Sequence, residues 1–86
     1  MKIFLHRNFE KQYQKLRKGE KLKFKERRNV FLRDPFSLEL RNHVLRGQYD
    51  GCRSIDITGD LRVIYREEGG GIVSFLAIGT HSELYG

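Results

Sequence analysis

The sequence predicts an α+β domain in which two helices pack on one face of a mainly antiparallel sheet, in the order β-α-α-β-β-β. Three observations predict it. The chain divides by charge: residues 1–33 hold twelve Lys and Arg against three Glu, net +9, and residues 34–86 hold five Arg and no Lys against eight acids, net −3. The basic part carries apolar residues at helical spacing. The second part alternates apolar and polar residues between glycines, as half-buried strands do. With 33% charged and 38% hydrophobic residues and one Pro, the chain reads as one folded domain over residues 1–86 rather than a disordered tail.

Ile3, Phe4 and Leu5 form a first short strand. Asn8 is positioned to cap a helix, because its side-chain oxygen accepts from a free first-turn N–H. Phe9, Tyr13 and Leu16 recur at i, i+4 and i+7 on one helical face. Gly19 is the expected end of that helix, being the residue that most easily takes a left-handed cap. A second helix runs from Glu20 to about Arg33 and stops at Asp34-Pro35, since proline disfavours helix in the residue before it. The short connection makes the two an antiparallel hairpin.

Gly47 to Gly51 brackets a turn. In RSIDIT, Arg53, Ile55 and Ile57 face one side and Ser54, Asp56 and Thr58 the other, a strand with one polar face. Gly59-Asp60 leads into LRVIYR, and Glu68-Gly69-Gly70-Gly71 is a hairpin turn whose glycines supply positive φ. Ile72 to Ile78 is nearly all apolar, as a central strand is. The helices cover one face of the sheet, and the other is expected to be free for work.

Several function classes fall away. A single Cys, Cys52, cannot form an intramolecular disulfide or a thiolate cluster, and a reducing, cytoplasmic setting is the default reading. The opening MKIFLHRNFEK has too short an apolar run for a signal peptide, and no stretch approaches a membrane span. Motifs for nucleotide hydrolysis, zinc peptidases and serine esterases are absent. The spacings of His43, His81, Asp56 and Asp60 give no tight metal-ligand pair. The net +6 charge favours a polyanionic partner.

The remaining ionisable residues suit a metal-free ribonuclease. RNA carries its own nucleophile, the 2′-OH. Cleavage needs a base for its proton, an acid for the leaving 5′-oxygen and positive charge on the phosphoryl oxygens. Histidine serves the first two near neutral pH, and arginine the third. Residues alone leave open the plainer reading, a basic binding domain with exposed histidines. Lys21, Lys23, Lys25, Arg27 and Arg28 are candidates for contact with nucleic-acid phosphates, or simply the solvated side of a helix. His6 is assigned no role.

The order of elements and the motifs N-H-V-L-R-G (42–47), G-C-R (51–53), G-D-L-R-V-I-Y-R (59–66) and G-T-H-S-E-L-Y-G (79–86) resemble the RelE/ParE superfamily, toxins of type II toxin–antitoxin systems, and within it the YafQ-like branch. The last motif is the most specific. The match covers residues 40–86 well and rests on topology and length before that. The resemblance implies a RelE-like fold with the hairpin on a curved sheet. It implies a ribosome-dependent mRNA endonuclease without cofactor, held inactive by a cognate antitoxin, which for a +6 toxin is expected to be acidic. It assigns His81 as general acid, His43 or Asp60 as base or its orienter, Arg53 to the G-x-R position and Tyr85 to stacking on RNA. Three positions depart from the branch. Asp56 stands for a His, Leu61 for an aromatic, and Ala77 for a phosphate-binding Arg, whose role would pass to Arg53 or Arg62. The alternatives are a ParE-like inhibitor of DNA gyrase and a weakened homologue that only binds antitoxin or ribosome.

Overall fold

Helix boundaries follow local side-chain capture of free backbone groups. The computed structural model describes residues 1–86: β1 (Lys2–Leu5), α1 (Arg7–Gln14), α2 (Lys18–Arg33), a 3-10 turn (Leu38–Leu40), β2 (His43–Val44), a second 3-10 turn (Gly47–Tyr49), β3 (Arg53–Asp56), β4 (Leu61–Gly69), β5 (Ile72–Thr80) and α3 (His81–Tyr85). The cap of α1 is His6, not Asn8: the Asn8 N–H donates to His6 Nδ1 at 3.1 Å. The break between the helices falls at residues 15–17, not at Gly19. Arg17 is extended, and its N–H donates to Glu20 Oε1 at 2.9 Å. A glutamate at the third helical position thus fixes the start of α2, and Gly19 lies inside its first turn. The stop at Asp34-Pro35 is as expected, with Asp34 extended (φ −156°, ψ 99°).

The sheet has the order β1-β5-β4-β3-β2. β1 runs parallel to β5, and the other pairs are antiparallel. Gly69, Gly70 and Gly71 close the β4–β5 hairpin with φ of 86°, 60° and 75°, a conformation other residues rarely take. Two elements were not foreseen, the two-residue β2 and the five-residue α3; neither is long enough to show a period. The helices cover one face through Phe9, Phe24 and Phe31, which meet Tyr65 and Phe75. Phe75 is central, with ring centroids 5.6 Å from Phe31, 5.7 Å from Phe9 and 6.0 Å from Phe24.

Strict alternation fails in β5. Tyr65 pairs with Phe75 and Ile64 with Ala77, so Leu76 is an extra, bulged residue. Phe75 faces the helices, and Ala77 turns to the opposite face, where alternation from Phe75 put it on the same one. That far face is not wholly free either. Leu45, Cys52, Ile64, Ala77 and Leu84 form a second apolar cluster there, with α3 folded over it. Cys52 is a packing residue of this cluster, 7% exposed. Gly79 permits the fold-back: a Cβ at that position would lie 3.1 Å from Glu83 Oε1 and 3.4 Å from Leu84 Cδ2.

α1 also completes the sheet. β1 pairs with β5 only as far as Phe75. Beyond it, Asn8 Nδ2 donates to the Leu76 carbonyl at 3.1 Å and the Ile78 N–H donates to Gln12 Oε1 at 2.9 Å. Two side chains one turn apart replace the missing strand. Gln12→Ala strands the N–H of Ile78, a residue 1% exposed. The expected loss is about 1–3 kcal/mol, or roughly 4–8 °C in Tm per kcal/mol. Gln12→Glu keeps the acceptor and is expected to lose less. A Gln12→Ala variant melting with wild type would show that the contact adds nothing.

Candidate active site

Strand register assigns each candidate to a face. His43 pairs with Ser54, Ser54 with Ile64 and Ile64 with Ala77, so these four form one row across the far face. The next row is Asp56, Arg62 and Gly79. The far face is therefore apolar under α3 and polar toward β2 and β3. Its centre holds Ser54, fully buried, whose hydroxyl has no hydrogen-bond partner. Alternation places Ser54 on the polar face but carries no sign of its burial.

His43 is exposed on β2, with Nδ1 2.8 Å from the Arg41 carbonyl oxygen. A carbonyl only accepts, so in the neutral ring Nδ1 carries the proton and Nε2 offers a free lone pair. Arg41 presents that carbonyl from a left-handed conformation, φ 47°, the only non-glycine residue at positive φ. The geometry suits His43 as a proton acceptor.

His81 is the first residue of α3. The Thr80 hydroxyl accepts from the Glu83 N–H at 3.2 Å and Glu83 Oε1 accepts from the Thr80 N–H at 2.7 Å, a reciprocal cap that fixes the helix start. The His81 ring lies against Tyr85 one turn on, centroids 4.7 Å apart, and makes no hydrogen bond within the chain. Tyr85 meets the edge of Tyr49 at 5.5 Å, and the Tyr49 hydroxyl donates to the Leu84 carbonyl at 2.7 Å. Through Leu84 and Leu45, α3 is tied to the chain two residues after His43. Asp60 is exposed in the β3–β4 turn, and its carboxylate forms no ion pair. It bonds neither histidine.

The two arginines proposed to replace the missing one at Ala77 part company. Arg62 lies on the far face, its Nε 3.5 Å from Asp56 Oδ1, with Nη1 buried and unpartnered. Arg53 pairs with Tyr65 on the helix side. Its Nε donates to Asn42 Oδ1 at 2.7 Å, its guanidinium lies 5.2 Å from the Phe36 ring centre, and Asn42 Nδ2 donates to the Tyr65 hydroxyl and the Pro35 carbonyl, each at 2.8 Å. Arg53 anchors residues 35–42 to the sheet and does not share a face with His43. Burial pushes the Tyr65 phenol up, so it stays neutral in this network. Ala77 is 6% exposed, so a longer side chain there must push into the cluster of Leu45, Cys52, Ile64 and Leu84. Leu61 packs in the helix-side core.

The basic stretch does not form one surface. At about 100° per residue, Lys21, Lys25 and Arg28 share a side of α2 and Lys23 and Arg27 lie opposite. Lys21 covers the Tyr13 ring at 5.5 Å, Lys23 pairs with Glu26 at 3.3 Å, and Arg27 is half-buried toward the sheet edge. No three His, Cys, Asp or Glu side chains converge as metal ligands, and no helix is long and apolar enough to cross a membrane.

The sequence matches the family model described as a bacterial toxin of type II toxin-antitoxin systems, YafQ, over residues 1–86. No curated protein sequence matches it. The fold is similar to that of YafQ from E. coli strain BL21(DE3), with a TM-score of 0.83 and 22% identity over 98% of this chain and 97% of that one. It is similar to a YoeB/ParE toxin from Agrobacterium tumefaciens, with a TM-score of 0.78 and 24% identity over 94% and 99% of the two chains. It is also similar to a chain of the E. coli DinJ-YafQ toxin-antitoxin complex, with a TM-score of 0.79 and 23% identity over 98% and 96%. With the whole length matched, the chain belongs to the YafQ family of type II toxin–antitoxin toxins.

Proposed function

We propose that this toxin is a metal-independent endoribonuclease that cuts mRNA on the ribosome and is silenced by a cognate acidic antitoxin. The observation that carries the reading is the His43 ring, oriented by the Arg41 carbonyl and facing the same side of the sheet as Arg62. In the reaction, His43 Nε2 takes the proton from a ribose 2′-OH. The 2′-oxygen attacks the adjacent phosphorus as Arg62 stabilises the developing charge. His81 protonates the departing 5′-oxygen, leaving a 2′,3′-cyclic phosphate and a 5′-hydroxyl. Asp60, close in sequence to Arg62 and unpaired, serves as the alternative base or as an orienter. Tyr85, half-buried against Tyr49 and His81, stacks on a base. Lys21, Lys25 and Arg28 contact ribosomal RNA phosphates, with Lys23 on the opposite side of α2.

An E. coli YafQ is known in complex with DinJ as a toxin-antitoxin pair, and the excess positive charge of this chain suits an acidic counterpart laid over an open groove. The test is to add purified toxin to a translation extract and to a gyrase supercoiling assay. Codon-phased cuts in mRNA support the reading. Inhibited supercoiling with intact mRNA contradicts it and favours a ParE-like action.

A further inference from the structure

β2 is two residues long, so the outer edge of β3 is unpaired beyond Ser54. A cleft of about 290 Å³ opens at this edge between α2, the first 3-10 turn and the β3–β4 turn. Arg27 reaches it from α2, Arg41 from the residue after the 3-10 turn and Arg62 from β4, with Asp56 and Glu39 as the acids present. Three arginines from three separate elements therefore line one cleft with two acids. Asp56 is taken by Arg62 at 3.5 Å. The Glu39 carboxylate accepts from the Ser37 hydroxyl, and that hydrogen bond, with Arg27 and Arg33 nearby, holds its carboxyl below the usual range. Arg27 and Arg41 form no ion pair and donate no side-chain hydrogen bond within the chain, and Arg27 Nε is buried without an acceptor. A buried guanidinium N–H lacking a partner is costly, and arginine's planar fork matches the oxygens of a phosphate.

We infer that this cleft is an RNA-phosphate subsite in which Arg27 and Arg41 hold a backbone phosphate neighbouring the one served by Arg62. The inference rests on the nuclease reading for the identity of the strand. Arg62 joins the two places, since it lies on the far face by register and lines the cleft beside its ion-pair partner Asp56. Arg41 joins them as well: its carbonyl orients His43, and the residue lines the cleft. A strand bound here lies along the open edge of β3, where no neighbouring strand blocks it. The cleft thus gives Arg27 a function distinct from the solvent-facing basic residues of α2.

The experiment measures binding of a short single-stranded oligoribonucleotide with 2′-O-methyl riboses, which cannot be cut through its 2′-oxygen, across a range of salt. The Arg27→Ala/Arg41→Ala double variant is expected to bind more weakly and to reduce the log–log salt slope by about 0.7, the value for one single-strand phosphate contact. Arg41→Ala alone, at an exposed position, is expected to weaken binding and keeps the test valid if Arg27→Ala impairs folding. Equal affinity and slope in wild type and the folded variants overturns the inference, as does wild type that binds no oligonucleotide. Inorganic phosphate that binds wild type but not the double variant, while oligonucleotide affinity stays equal, makes the cleft a free-anion site and also overturns it. Because the probe is uncleavable, a toxin that binds it through the cleft yet never cuts mRNA defeats the nuclease reading alone.

Discussion

His81→Ala is expected to slow mRNA cleavage by about 10²–10⁴-fold, the usual contribution of a positioned leaving-group acid. The ring is exposed, stands at the first position of α3 and makes no hydrogen bond within the chain. The helix start is fixed by Thr80 and Glu83 instead. The variant should therefore fold and melt close to wild type while growth arrest is relieved at equal expression. The measurement is cleavage rate alongside a thermal melt. A variant as active as wild type removes His81 from the reaction; a variant that fails to fold shows that its contact with Tyr85 is structural.

Arg62→Ala is the second large effect. Removing one preorganised donor to developing charge costs about 10²–10³-fold, and no arginine stands at position 77 to share the role. The change also leaves Asp56, a half-buried carboxylate, without its partner. Arg62→Lys keeps that charge pair and separates the effects: it is expected to melt near wild type yet cleave slowly, because an ammonium lacks the fork. Arg53→Ala is the contrasting change. It removes the bond to Asn42 and the stacking on Phe36, so its expected effect is a lower Tm with cleavage by the folded protein retained. The reverse pattern, with Arg53 essential and Arg62 dispensable, would place the phosphate on the other side of the sheet.

The parts of this fold that were legible in the sequence are those with a long period or a glycine turn. Phe9 and Tyr13 announce α1, and Gly69 to Gly71 announce the β4–β5 hairpin. β2 and α3 escaped because two and five residues carry no period; α3 is specified instead by the reciprocal cap of Thr80 and Glu83, which reads as S/T-x-x-E in T-H-S-E. The helix break lies at residues 15–17 rather than at Gly19 because Glu20, capturing the Arg17 N–H, is a stronger signal than the glycine beside it. The bulge at Leu76 had no local mark, and it alone decides that Ala77 faces away from Phe75. At the site, residue types were legible and roles were not. Alternation sets Arg53 beside Ile55 and Ile57, on the apolar side, and register pairs Arg62 with Asp56 on the opposite face. The orientation of His43 depends on the left-handed backbone at Arg41, which no residue type there foretells.

The most direct measurement is the chemistry of the ends that the toxin leaves on mRNA in ribosome complexes, with and without a chelator. Attack by the 2′-OH predicts 2′,3′-cyclic phosphate and 5′-hydroxyl ends, unchanged by chelation and abolished by a single 2′-deoxy substitution at the cut site. Ends bearing a 3′-hydroxyl and a 5′-phosphate, or cleavage that survives the 2′-deoxy substitution, would contradict the account.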